Sequence, residues 1–248
     1  MLVELAKAIG GPFIGAGLAF WSTRLHDAHR RRRESTAAGN LALSELNSMH
    51  NEFLSWRAGV YEEFSSPDRS ADSPIWAMMR PSHQSFGDFT IDIKSLAFLF
   101  EDPSAAEALN AMRLAEMRFR DMVSIHKFRN DAAVAVLDEL SKENFPSFRE
   151  AEAALGPHRI ATMKAAVTSV AQRVRDDEPD YIIASTKLRA ALEKRLARRW
   201  GRAPQLVPTH SVAPRFRQEN LAPFPEAIVN LLAALDVRRA EDMAVDRG

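Results

Sequence analysis

Arg120, Asp121 and His126 are the nearest approach to a catalytic grouping in this 248-residue chain. They offer a fixed cation beside a carboxylate, with an imidazole six residues on that can exchange a proton near neutral pH. The other chemistry-bearing residues are more scattered. His26 and His29 stand three apart with Asp27 between them, but no third ligand is near, so no metal site is expected. Asp176, Asp177, Glu178 and Asp180 crowd the start of a helix, where the dipole alone favours acids. Cysteine is absent, which excludes disulfides, thiolate metal sites and thiol nucleophiles. There is no Walker lysine loop, no Gly-x-Ser-x-Gly elbow and no His-Glu-x-x-His. Neither a cofactor nor an enzyme activity is expected.

Charge narrows the partners. The 33 basic and 33 acidic residues cancel, so general attraction to nucleic acid is not expected and only local patches could act. Two stand out. Arg24, Arg30, Arg31, Arg32 and Arg33 follow an apolar run directly. Further on, Lys187, Lys194, Arg195, Arg198, Arg199 and Arg202 share one side of a helix, opposite Leu192, Leu196 and Trp200. That face reads first as solvated surface and second as a contact for anionic lipid. No aromatics interleave with it to stack on bases.

The apolar run is the strongest feature. Residues 8–23 carry no charge and make roughly 24 Å of helix, short of a hydrocarbon core of about 30 Å. Adding Leu2, Val3, Leu5 and Ala6 closes the gap and puts Glu4 and Lys7 at the outer interface. The arginines lie on the C-terminal side, so the positive-inside rule predicts a single span with the body in the cytoplasm. A signal peptide would carry its charge before the run, not after it. Gly11, Gly15 and Ala19 follow small-xxx-small spacing, which would suit a dimer, and Trp21 stands where an interfacial anchor would.

The remaining elements are predicted to be helical. Steps of three and four from Leu25 to Trp56 continue the first helix as an amphipathic element or a coiled-coil seam. Residues 62–90 read as a connection, FTIDI (89–93) as a short strand, and 96–100 as a buried helical turn. Asp102-Pro103 opens a long helix to about Lys142, with His126 and Asn130 interrupting its apolar stripe. Helices at 157–175 and from Pro179 to Trp200 follow. A last helix begins at Pro225, with a polar tail from about Arg239.

The segment from Arg120 to His126 resembles the Arg-polar-x-His signature of HEPN ribonucleases, all-helical domains whose paired Arg and His attack the RNA backbone, usually across a dimer. The resemblance covers seven residues and implies a ribonuclease effector with Arg120 and His126 as its pair. It departs from the family pattern in lying mid-helix, where residues six apart are separated by about 240° around the axis.

The expected fold is all-α: a membrane-anchor helix (1–23), a cytoplasmic helical bundle with two long helices (24–200), a Pro-rich irregular segment (201–224) and a docking helix with a polar tail (225–248). The expected function is a non-enzymatic, membrane-tethered interaction or sensor module of a bacterial cytoplasmic membrane. Its partners would be the bilayer, a second copy and a further protein. The alternatives are the HEPN-like ribonuclease and a peripheral binder of anionic lipid.

Overall fold

The computed structural model describes residues 2–65, 73–78, 80–200, 205–208, 221 and 225–245. For 2–15, 104, 199–200 and 238–245 the backbone alone is described. The fold is all-α, with α1 (Leu2–Phe64), α2 (Pro103–Leu140), α3 (Phe148–Asp176), α4 (Glu178–Trp200) and α5 (Glu226–Val245). Two 3-10 turns, Ile75–Ala77 and Ile93–Leu99, lie in the connection between α1 and α2.

The body is built from three rods. Along α2, the ion pairs Asp102–Lys194, Glu107–Lys187, Arg118–Asp180, Asp121–Arg173 and Glu139–Arg159 step steadily down through α4 and then α3. Helices α3 and α4 therefore lie end to end, antiparallel to α2, as one rod with a joint at Asp177. Pro179 explains the joint: it cannot donate within a continuing helix, but it is tolerated in the first turn of a new one. The third rod is the C-terminal half of α1. It runs antiparallel to α4, since Gly39 meets Leu192, His50 stacks on Tyr181 and Arg57 pairs with Glu178.

The core forms where these rods meet, around Leu43, Leu46, Met49, Phe53, Trp56, Met112, Tyr181, Leu188 and Leu192. The apolar steps Ala42, Leu46, Met49, Phe53 and Trp56 are all buried within the chain's own body. That part of the expected coiled-coil seam is consequently closed to a second copy. Leu96 and Leu99 make the expected buried turn. Residues 89–93 form no strand. Asp92 instead caps the second 3-10 turn by accepting from the Lys94 amide, and Ile91 turns into the core. Helix α3 opens earlier than expected, at Phe148, with the Ser147 hydroxyl accepting from the Glu150 amide. Gly156-Pro157 is a kink inside it, where Gly156 takes φ 74°, a conformation open to glycine. Helix α5 continues to Val245, past the expected fraying point.

The N-terminal half of α1 behaves differently. No residue from 16 to 38 is buried, and the first to enter the core is Gly39. At 1.5 Å per residue, 2–38 makes about 55 Å of unbroken helix, of which only the last turns touch the body, with Ala38 half-buried against the core. The expected boundary between residues 23 and 24 thus falls within one continuous element. Among the described residues, no helix is long and apolar enough to cross a membrane. The expected span draws no support from that result, and the side chains of its first part, Gly11 and Gly15 included, lie outside the described set.

Candidate functional site

Four places hold the residues with functional potential. The first is the projecting half of α1. Leu18, Phe20, Trp21 and Leu25 stand more than half exposed on it, and the Arg24 guanidinium covers the Phe20 ring at 4.5 Å. They form a run of exposed large apolar side chains on one element. Arg30 has weak contacts with Asp27 and Glu34 at 3.5 and 3.7 Å. Arg31, Arg32 and Arg33 make no ion pair among the described residues, and all but the half-buried Arg32 are exposed.

The second is the basic face of α4, three of whose four described members are paired with acidic neighbours. Lys187 pairs with Glu107, Lys194 with Asp102, and Arg195 with Glu101. These are contacts across the α2–α4 interface, not a free cationic surface. Arg198 alone of the described members is exposed without an ion pair. Arg199 and Arg202 lie outside the described side chains.

The third is the joint between α3 and α4, where the four acids of the sequence each meet arginine. Arg175 holds Asp176, Arg118 and Arg173 flank Asp177, Arg57 grips Glu178, and Arg118 also binds Asp180 at 2.9 Å. Asp177 is only 2% exposed, and burial pushes its carboxyl up to about 6 against the pull of Arg173 and Arg118. Arg57 is 1% exposed, so its charge needs the Glu178 carboxylate. His50 stacks on Tyr181 with ring centroids 5.8 Å apart, its Nε2 standing 3.6 Å from Glu178. The Tyr181 hydroxyl is buried without a hydrogen-bond partner among the described residues, and burial raises its pKa. With every acid matched to a guanidinium, the joint is a structural lock. Among the described residues, no group of His, Asp and Glu could hold a metal ion.

The sequence did not point to Arg57, Arg118 or Arg173 as parts of this lock. The available signal was the acid cluster itself: buried acids need cations, and arginine is the common cation in this chain.

The fourth is His126. It is 4% exposed, and its Nδ1 accepts the Trp56 indole N–H at 3.2 Å. The Asn130 amide nitrogen lies 3.1 Å from its Nε2, while the same amide exchanges hydrogen bonds with the Ser82 backbone. Burial and the nearby Arg129 charge push His126 down to about 4, so the ring is neutral at physiological pH. Arg120 instead points to solvent, 63% exposed, paired with Glu116 one turn away. The structure does not bring Arg120 and His126 together.

Two open clefts lie elsewhere on the body. One of about 430 Å³ lies beside Trp76, Phe145 and Phe148. The other, about 340 Å³, lies between Phe128, Asp131, His158 and Arg159. Some polar groups at their edges are engaged elsewhere: Ser147 caps α3, Trp76 donates to Glu152, and Arg159 binds Glu139. Against protein-family models, curated proteins and solved structures, the chain has no match.

Proposed function

We propose that this protein is a non-enzymatic helical interaction module tethered to a bacterial cytoplasmic membrane through the projecting half of α1. The carrying observation is that α1 runs on past the end of the body while still displaying Leu18, Phe20, Trp21 and Leu25 to solvent, with Arg30 to Arg33 between these and the core. In that arrangement the apolar end enters the bilayer. Trp21 lies at the interface, and the arginines stay on the side of the body, the orientation the positive-inside rule favours. The body is then held in the cytoplasm on a helical stalk, where it positions a protein partner. A chain whose titratable clusters are locked in internal ion pairs suits a scaffold better than a catalyst.

The test is extraction. Membranes carrying the full chain are washed with alkaline carbonate, beside a chain shortened to begin at Arg24. The full chain is expected in the pellet and the shortened one in the supernatant. Release of the intact full chain by the wash refutes the tether.

A further inference from the structure

The antiparallel register of α1 and α4 joins two basic groups that the sequence keeps far apart. Leu192 packs on Gly39, and Tyr181 lies against His50. As numbers rise along α1, they fall by nearly equal steps along α4. Arg198, six residues beyond Leu192, therefore lies level with Arg33, six residues before Gly39. The end of α4 and the root of the projecting segment share one end of the bundle.

Apart from Arg30, which contacts Asp27 and Glu34, the described cations there have no carboxylate partner. Arg31, Arg32 and Arg33 on α1 and Arg198 on α4 make no ion pair among the described residues. Lys187, Lys194 and Arg195, lower on α4, are held by Glu107, Asp102 and Glu101. Internal pairing thus strips charge from the flank of α4 and leaves it at the end facing outward along α1.

We propose that Arg31, Arg32, Arg33 and Arg198 form a basic collar that binds anionic headgroups of the membrane in which the projecting helix is anchored. This rests on the tether reading and deepens it by naming the lipid class. Trp21 and Arg33 are separated by about 18 Å along the helix. The headgroup layer takes up roughly 5–7 Å of that, and an arginine side chain reaches several ångströms. The guanidinium groups then come within about one Debye length of the phosphates, close enough for attraction but open to screening by salt. The collar sets how far the body stands from the bilayer.

The experiment uses full-chain protein with two vesicle types, phosphatidylcholine alone and phosphatidylcholine with phosphatidylglycerol, scored by flotation at low and high salt. The parent is expected to bind both, and the anionic vesicles about tenfold more tightly at low salt. Arg31→Gln, Arg32→Gln, Arg33→Gln and Arg198→Gln together should abolish that preference while binding to phosphatidylcholine persists. A control carries the same charge change at exposed, unpaired positions elsewhere on the body: Arg113→Gln, Lys127→Gln, Arg149→Gln and Lys164→Gln. It should keep the preference. If the control loses as much as the collar variant, or the collar variant keeps the preference, the collar is refuted while the tether stands. Binding of the parent to neither vesicle refutes both.

Discussion

Gly39 of α1 lies directly against Leu192 of α4: a Cβ on Gly39 would stand 2.7 and 2.9 Å from the two Leu192 methyl carbons. Leu192 is fully buried, so its methyls have little room to yield. Gly39→Ala gains up to about 1 kcal/mol of helix propensity but loses about 1–3 kcal/mol to overpacking, and Gly39→Val loses more. Gly59, in the same helix, is exposed with nothing within 4 Å of an added Cβ. Gly59→Ala should raise the thermal midpoint while Gly39→Ala and Gly39→Val lower it in that order, as followed by circular dichroism. Equal gains at both positions would mean that the two helices are farther apart.

Arg57 and Glu178 join α1 to the α3–α4 joint from inside the core. Removing one partner deprives a buried charge of its close counter-ion, at a cost of about 3–5 kcal/mol, whereas replacing both with apolar groups is often nearly neutral. Glu178 keeps some solvent contact, so Glu178→Leu alone is the more costly change, since it removes the carboxylate from the more deeply buried Arg57. Urea midpoints for Arg57→Met, Glu178→Leu and the double variant should show the double recovering much of the single losses. Simple additivity would show that the pair does not hold the joint.

Asp177 and His126 set opposed pH dependences over one window. Burial raises Asp177 to about 6 from an ordinary 3.8, so the folded state takes up a proton that the unfolded state does not, and stability rises as pH falls from 6 toward 4. His126 is lowered to about 4 from 6.5, so the unfolded state takes up the proton instead, and stability falls as pH drops from 6.5 toward 4. The parent is expected to have a shallow profile of thermal midpoint between pH 6.5 and 4.5. Asp177→Asn should expose the His126 term and steepen the loss on acidification. His126→Gln should do the reverse, giving a chain that gains stability relative to the parent as pH falls. Parallel profiles for all three proteins would remove both assignments.

These cases show where the sequence was legible. The elements themselves follow from periodicity and punctuation: Asp102-Pro103 and Pro179 open helices near where expected, and Ala42 through Trp56 mark a buried stripe. What spacing cannot supply is register between rods. Glu107 and Lys187 are far apart in sequence, as are Arg57 and Glu178, and their meeting depends on how α3 and α4 run along α2 and α1. The basic face of α4 therefore looked open when three of its four described members, Lys187, Lys194 and Arg195, were already paired. Asp176 to Asp180 looked like a helix-start preference when it is also the lock. Residues 89–93 alternate as a strand would, but have no neighbouring strand to bond with. They run on without helix or strand to Asp92, which caps the 3-10 turn that begins at Ile93.

His126 tests the ribonuclease resemblance badly, and Arg120 tests it well. His126→Ala leaves the Trp56 indole N–H buried without its acceptor, a loss of about 1–3 kcal/mol whatever the protein does. Any activity lost with that variant is therefore confounded with damage to the fold. Arg120 is 63% exposed and pairs only with Glu116 on its own helix, a contact worth at most about 1 kcal/mol. Arg120→Ala should leave the thermal midpoint almost unchanged. For a scaffold, growth of expressing cells and the integrity of their RNA should also match the parent. A ribonuclease predicts that the parent is toxic and cuts RNA, and that Arg120→Ala, still fully folded, does neither. Because His126 is neutral, buried and held by Trp56 while Arg120 faces away, parent and Arg120→Ala are expected to leave RNA equally intact.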